Sequence, residues 1–497
     1  MSIDHIVIVG RDAAAWLAAV SLRRAFADTG LAVTVIELPT VLAAADVYTA
    51  TPVLDGLHSL LGLAEADVLR VCRGVPVIGQ RYSGWNGAGS AFVHGYDVKR
   101  PAIDDVDFLH FWVKARGQGM RVPWEDFSIA AAAAKQARLA PPGSDRTAFG
   151  TVVPGYHLHA RSYAGALRQL AVSNGIRLVT AELASIERDG DRIVALHLDN
   201  STRVAGQLYI DASGVEAVLT ADRPFDDWGA SLPSDRTVAL TGPALRPLPG
   251  FSEITAVPAG WIGMFPLQDR TAVIGSYRRA ECSDAEMVAT IAGFTRMRFD
   301  AAPVFRDLRP GMRAPWVGNC IAIGDAAGAL ETLDAVQLLA AHVGISNLIE
   351  MFPVDAAAMP EAAVYNATVQ RYLTGIRDFQ IAHYALNGRI GEPLWDAARA
   401  APPPATLATK LALFAARGLV PMYDDETFLD PNWAAILIGH GLIPRDYDPA
   451  VDRMPAPAQR EKFQALLHLI AQEVRAMPDI ATYLAADVPA PALVRAL

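Results

Sequence analysis

The sequence predicts an α/β fold: a mainly parallel sheet interrupted by a long inserted β-rich region and followed by a helical C-terminal part. Three observations carry that prediction. The first is residues 5–26, HIVIVGRDAAAWLAAVSLRRAF, where the run Ile6-Val7-Ile8-Val9 stops at Gly10 and passes into a helical spacing of Trp16, Leu17, Val20 and Leu22. A β-branched run of this kind reads as a strand buried on both faces, and a strand, a tight glycine turn and a helix make the first half of a dinucleotide-type βαβ unit. The second is that residues 208–214 (LYIDASG) and 320–325 (CIAIGD) repeat the theme of a short apolar strand ending in a small-residue turn. They are expected to rejoin the first sheet. The third is that beyond Pro360 the pattern is helical, with one proline-rich break at Pro402-Pro403-Pro404.

The second strand of the βαβ unit is residues 32–36, ending in Glu37, an acid placed to accept a hydrogen bond from a ribose hydroxyl. Residues 53–63 read as a helix, residues 74–85 as a strand and residues 91–96 as another strand after a glycine-rich turn. Residues 110–116 and 130–140 read as helices, and residues 141–144, PPGS, as a loop. Residues 156–173 read as an amphipathic helix with its lead-in. Three strands follow at 177–180, 183–188 and 193–198, the last two joined by the turn Asp189-Gly190-Asp191 as in a hairpin. Residues 228–277 are strand-like around GWIGMFPL, and an apolar helix runs from the Gly324-Asp325 turn to about Phe352. This divides the chain into residues 1–355, carrying the discontinuous sheet and the inserted strands, and residues 356–497, a mostly helical region packed over the substrate side.

With 497 residues, 52% hydrophobic and 19% charged, the chain has ample material for a large core. A net charge of −10 argues against a nucleic-acid partner. Three scattered cysteines, Cys72, Cys282 and Cys320, fit neither a disulfide framework nor a zinc site. No apolar run reaches the length of a membrane span and no secretory signal is apparent, so a cytoplasmic location is expected.

The first glycine turn departs from the G-x-G-x-x-G fingerprint. Gly10 is present, Asp12 takes the second glycine's place and Ala15 the third's. Ala15 suits a position that serves helix–strand packing, whereas Asp12 brings a side chain and a negative charge toward a pyrophosphate. Arg11 is placed to offset that charge by pairing with phosphate. Downstream, Gly324-Asp325 in IAIGDAAG matches a turn at which an aspartate meets the ribitol of a flavin, with a helix N-terminus behind it. Gly10, Ala13, Ala15, Glu37, Gly324 and Asp325 are therefore the candidate cofactor contacts.

Together with AFVHGY, PGYHLHARSYAGALRQLA, WVGNCIAIGDAAGALETLDAVQLL, RDFQIAHYALNGR and WAAILIGHGLIPRDYDP, these stretches resemble the flavin-dependent tryptophan halogenase family over nearly the whole chain. The resemblance implies an FAD-binding βαβ sheet of the flavin monooxygenase and halogenase type. It implies FADH2 supplied by a separate flavin reductase, oxygen, and chloride or bromide turned into hypohalous acid for a small aromatic substrate. It also brings residue roles. The family's lysine, four residues before a tryptophan, falls on Arg81 before Trp85, and its glutamate falls on Asp334. The pair is expected either to catalyse or to form an ion pair that plugs the site. His94, Tyr96 and Trp433 fall on substrate-framing positions, and Trp261, Phe265 and Pro266 on the tunnel motif W-x-W-x-I-P, whose second tryptophan is Gly263 here. That loss is expected to let a substrate approach the flavin more closely. The S-T-G turn beside the glutamate reads Ala335-Val336-Gln337, and the family's second flavin loop, G-V-G-E-A-T, reads residues 45–50, ADVYTA. The implied function is a halogenase-like oxidoreductase with weak or altered halogenation. A flavin monooxygenase without halogenation and a non-catalytic binding protein stay open beside it, and a homodimer is one option for its assembly.

Overall fold

The computed structural model describes residues 3–96, 102–140 and 152–486; the expected loop at 141–144 lies outside them. The strand β1 (His5–Gly10), the helix α1 (Asp12–Ala25) and the strand β2 (Ala32–Glu37) form where the apolar pattern places them. β1 is central in a six-stranded sheet ordered Trp316–Val317, Cys320–Ala322, Leu208–Ala212, β1, β2 and Arg177–Thr180. Its parallel register runs from Ile6 opposite Leu208 to Gly10 opposite Ala212 on one side and Glu37 on the other. Ile6 to Val9 are wholly buried, as a strand covered on both faces requires. Gly10 is glycine for closeness: a Cβ there would fall 2.5 Å from the Ala212 carbonyl oxygen and 2.9 Å from Ala15 Cβ. The sheet is thus assembled from three distant parts of the sequence, as the repeated strand-to-turn pattern predicts.

The inserted β-rich region centres on a seven-stranded sheet. Its order is Val304–Asp307, Arg236–Pro243, Arg270–Tyr277, Gly260–Pro266, Ser252–Val257, Gly79–Ser83 and Ala91–Gly95. Neighbours are antiparallel except Ser252–Val257 with Gly79–Ser83. The expected hairpin forms separately, Leu183–Asp189 pairing with Arg192–Leu198. Past Glu361 the described residues form helices, the longest being Glu361–Ala385 and Ala456–Ala476.

Several expectations need correction: the helix expected over 130–140 ends at Lys135, and the strand expected over 74–85 is two, Val75–Val77 and Gly79–Ser83, in different sheets. Residues 156–173 are not one helix with a lead-in: Gly155–His159 is a strand and only Ala160–Ser173 is helical. The Gly324-Asp325 turn does not start the long apolar helix. A short 3-10 turn, Gly324–Ala326, gives way to the two-residue strand Gly328–Ala329, and the helix begins only at Gln337. Gly328 pairs with Met312 and Ala329 with Gly311, and this pairing with a separate strand takes the chain out of the helical path. All three cysteines are free and buried. Among the described residues no helix is long and apolar enough to cross a membrane.

Candidate functional site

The C-terminal ends of β1 and β2 open onto a cavity of ≈ 720 Å³ lined by Asp12, Trp16, Glu37, Thr40, Arg161 and Arg168, among others. This is where the βαβ topology seats the adenosine half of a dinucleotide. Glu37 stands at the end of β2 as expected, with its carboxylate already accepting two hydrogen bonds from Arg168, at 2.7 and 2.9 Å. At the sheet's other turn Asp325 is solvent-accessible yet set among enough protein to push its carboxyl up to about 6, and it has no hydrogen-bond partner among the described residues. An accessible carboxylate without a partner among the described residues at this turn fits a flavin-facing role. Ala13 and Ala15 are buried in the first turn of α1 and bring no bulk to the cleft.

The centre of the cleft fits FAD less well. Asp12 has φ +56°, the left-handed backbone that the fingerprint's glycine would adopt. Asp tolerates that region better than most side chains, so the turn survives while a carboxylate occupies its mouth. Thr40 donates a hydrogen bond to it at 2.5 Å, and burial raises its pKa. The Tyr48 hydroxyl stands at the backbone N–H of Ala13, at the helix N-terminus that would otherwise face a pyrophosphate. Arg11 is not turned to that seat; it pairs with Glu216 at 2.7 Å. The residues therefore fit the cofactor at its two ends, with Asp12 and Tyr48 narrowing the phosphate seat between them.

The second group of candidates meets beside the seven-stranded sheet. Along Gly79–Ser83, Gln80 and Tyr82 point inward and Arg81 outward, because successive strand residues face opposite sides. Arg81 lies across from Val93, is 44% exposed and pairs with Glu253 at 3.1 Å. The expected Arg81–Asp334 ion pair does not form, and Arg81 faces away from His94. The inward face instead presents Tyr82, whose hydroxyl donates to Asp334 Oδ1 at 2.5 Å. Burial and the neighbouring carboxylate push the Tyr82 phenol well above its usual range, so it keeps its proton. His383 Nε2 donates to the same Oδ1 at 3.2 Å. With its proton on Nε2, His383 uses Nδ1 to accept from His440 Nε2, 2.8 Å away. A buried chain thus runs from His440 through His383 to Asp334. Asp334 and Ala335 both take positive φ, +62° and +58°, a strained corner. Gln337 ties that corner to Thr49, accepting from its N–H and its hydroxyl at 3.2 Å.

His94 and Tyr96 come together as expected, rings edge to face at 6.0 Å, both buried. Trp433 is buried edge to face with Phe379 at 4.9 Å, and Phe379 lies 5.9 Å from His94. Trp433 also covers the ammonium of Lys410 and donates to Glu426. Trp261 is buried and donates to Glu331, 2.8 Å, whose carboxyl burial raises to about 7. Phe265 and Pro266 are buried beside it, and the Pro266 carbonyl accepts from His157. The missing tunnel tryptophan leaves no opening: a Cβ on Gly263 would fall 2.6 Å from the Phe265 ring, which covers that position. Tyr82, His383, His440 and Glu331 escaped the sequence reading. The alternation Gln80-Arg81-Tyr82 held the signal for Tyr82, because a charged residue between two others marks the outward face.

Comparison with known proteins shows the family and the fold. The sequence profile of the tryptophan halogenase family matches residues 5–456. The tryptophan 6-halogenase SttH of Streptomyces toxytricini is 26% identical over 97% of this chain and 98% of its own length. Among solved structures, BrvH, a flavin-dependent halogenase from Brevundimonas sp. BAL3, superposes with a TM-score of 0.92 at 31% identity, covering 97% of this chain and 99% of its own. Xcc4156, a flavin-dependent halogenase from Xanthomonas campestris, gives 0.93 at 25% identity, covering 99% and 100%. With a family match along most of its length and a solved relative of the same fold, the chain belongs to the tryptophan halogenase family of flavin-dependent enzymes.

Proposed function

We propose that this chain is a halogenase-like oxidoreductase that takes FADH2 from a separate flavin reductase and acts, with oxygen, on a small aromatic substrate, its halogenating power weak or altered. The observation that carries this reading is the surroundings of Asp334. The acid is retained and oriented by Tyr82 and His383, while no ammonium or guanidinium on the strand Gly79–Ser83 faces it. When bound, FADH2 supplies the electrons that activate oxygen. Gly10, Ala13, Ala15 and Glu37 would hold its nucleotide end, and Gly324 and Asp325 its flavin end. Asp334 supplies a proton acceptor at a fixed place, and the rings of His94, Tyr96, Phe379 and Trp433 keep the substrate's surroundings dry. With no cation on that strand facing Asp334 to hydrogen-bond an oxidised halogen species, the electrophile loses that assistance, and loss of one such group costs on the order of a hundredfold or more.

The test is purified protein with a flavin reductase, NADH, oxygen and chloride or bromide, read by mass spectrometry over a panel of aromatics. Expected are little or no chlorination of free tryptophan and slow bromination of an electron-rich arene. Robust chlorination abolished by Asp334→Ala would show that the site needs no facing cation. Oxygenated products formed without halide would move the reading to a monooxygenase.

A further inference from the structure

Among the buried atoms of the aromatic site with no hydrogen-bond partner among the described residues are His94 Nδ1 and Asp334 Oδ2. His94 is 1% and Asp334 0% exposed. Their hydrogen-bonding characters are opposite, and the surrounding network fixes both. Asn432 Oδ1 accepts from the Leu429 N–H at 3.0 Å, which makes its other atom, Nδ2, the donor to His94 Nε2 at 3.2 Å. An imidazole accepting at Nε2 carries its proton on Nδ1. Burial lowers the His94 pKa to about 4, so the ring is neutral and has this single N–H. On Asp334, Tyr82 and His383 both donate to Oδ1, leaving Oδ2 as a bare acceptor.

The donor and the acceptor belong to one cluster. His94 lies across from Gln80, and Tyr82 is two residues farther on the same strand face. Phe379 touches both sides, 5.9 Å from the His94 ring and 5.8 Å from that of His383. Asp334 acts electrostatically on His94. A ligand that entered between these rings would meet one N–H to accept from and one carboxylate oxygen to donate to.

We propose that the site selects a hydroxyarene, its phenolic oxygen accepting from His94 Nδ1 and its O–H donating to Asp334 Oδ2. The inference rests on the aromatic-substrate reading above and narrows it. An indole N–H satisfies Asp334 and leaves the His94 donor buried and unpaired. A plain aromatic hydrocarbon leaves both unpaired. A buried polar group without a partner lowers affinity by roughly tenfold or more.

Three bicyclic probes of similar size separate these cases: 2-naphthol, indole and naphthalene, each titrated by calorimetry into the full-length protein without flavin. Expected is an order 2-naphthol, indole, naphthalene, with about tenfold between the first two. His94→Phe should bring 2-naphthol down to the level of indole. Asn432→Leu releases the His94 tautomer without touching the ligand, and should narrow the preference while nitrogen NMR shows the ring proton shared between Nδ1 and Nε2. Indole binding as tightly as 2-naphthol, an unchanged ratio in folded His94→Phe or Asn432→Leu protein, or binding of none of the three overturns the proposal. Because binding needs neither flavin nor halide, a preference found without any halogenation keeps the hydroxyarene site and removes the oxidoreductase reading alone.

Discussion

Asp12 and Arg81 show how a side chain can depart from a pattern while the backbone keeps it. Asp12 holds the glycine-like φ of the fingerprint turn, so Asp12→Gly asks nothing new of the chain. It removes a carboxylate from the N-terminus of α1, where an anion is favoured and two anions compete. FAD should bind about tenfold tighter in the variant, read by flavin fluorescence titration. Since burial raises the Asp12 pKa, wild-type affinity should also rise as the pH falls and the carboxyl gains its proton, a trend the variant lacks. Equal affinities at all pH values would place Asp12 away from the phosphates. Arg81 is an exposed strand residue with one ion pair, and such pairs contribute about 0–1 kcal/mol. Arg81→Ala should therefore leave both melting temperature and turnover nearly unchanged. Tyr82→Phe removes a buried hydrogen bond to a carboxylate, a loss of about 1.5–3 kcal/mol. A denaturant series on the two variants distinguishes them, and a large loss in Arg81→Ala would contradict its outward placement.

The strand Gly260–Pro266 shows what happens when an expected side chain is absent. Gly263 is flanked by Trp261 and Phe265, and the Phe265 ring covers it. Gly263→Ala must push that ring out of a packed wall and should cost about 1–3 kcal/mol, visible as a lower denaturation midpoint. An unchanged midpoint would mean that the wall is loose and a passage lies behind it. At this scale most strands were legible in the sequence. Ile6 to Val9, Leu208 to Ala212 and Cys320 to Ala322 are short apolar runs ended by small residues, and the sheet follows from them. What was not legible was parity. Counting four residues back from Trp85 lands on Arg81, but Gly84 has φ +73° and turns the chain, so the count does not preserve the face. The sequence shows that the strand exists; which of its two faces is buried depends on Glu253 and Val93 from other strands. The helix expected at Gly324-Asp325 failed for a similar reason, because Gly328–Ala329 pairs with Gly311–Arg313, a contact between separate segments that no local propensity announces.

Across the whole molecule, buried titratable groups link stability to pH in opposing directions. His58, His94 and His157 lie in three separate elements, and burial lowers each to about 4. Above about pH 6.5 these rings are neutral in both folded and unfolded chains. As the pH falls from there toward 4, only the unfolded chain takes up their protons, so stability is lost over that window. Glu331 and Asp325 oppose this, because burial raises their carboxyls to about 7 and about 6. Their contribution is present below the unfolded values of about 4 and is lost as the pH rises through the folded ones. Asp325 is solvent-accessible, which weakens its share. The three imidazoles then outweigh the carboxyls, and the melting temperature should fall on acidification from about pH 7 to about pH 5. Glu331→Gln isolates the opposing part. Its amide oxygen still accepts from Trp261 and Tyr384, whose bonds to Glu331 are 2.8 and 2.7 Å, and it never ionises. The stability of the variant relative to wild type should therefore climb between about pH 5 and pH 8, where the wild-type carboxyl is forced to give up its proton inside the core. Raising a carboxyl pKa by one corresponds to about 1.4 kcal/mol, so a climb on the order of 1–2 kcal/mol is expected after relaxation of the site. Chemical denaturation at a series of pH values measures it, and a difference that stays flat would show that the Glu331 carboxyl is not held protonated in the folded protein.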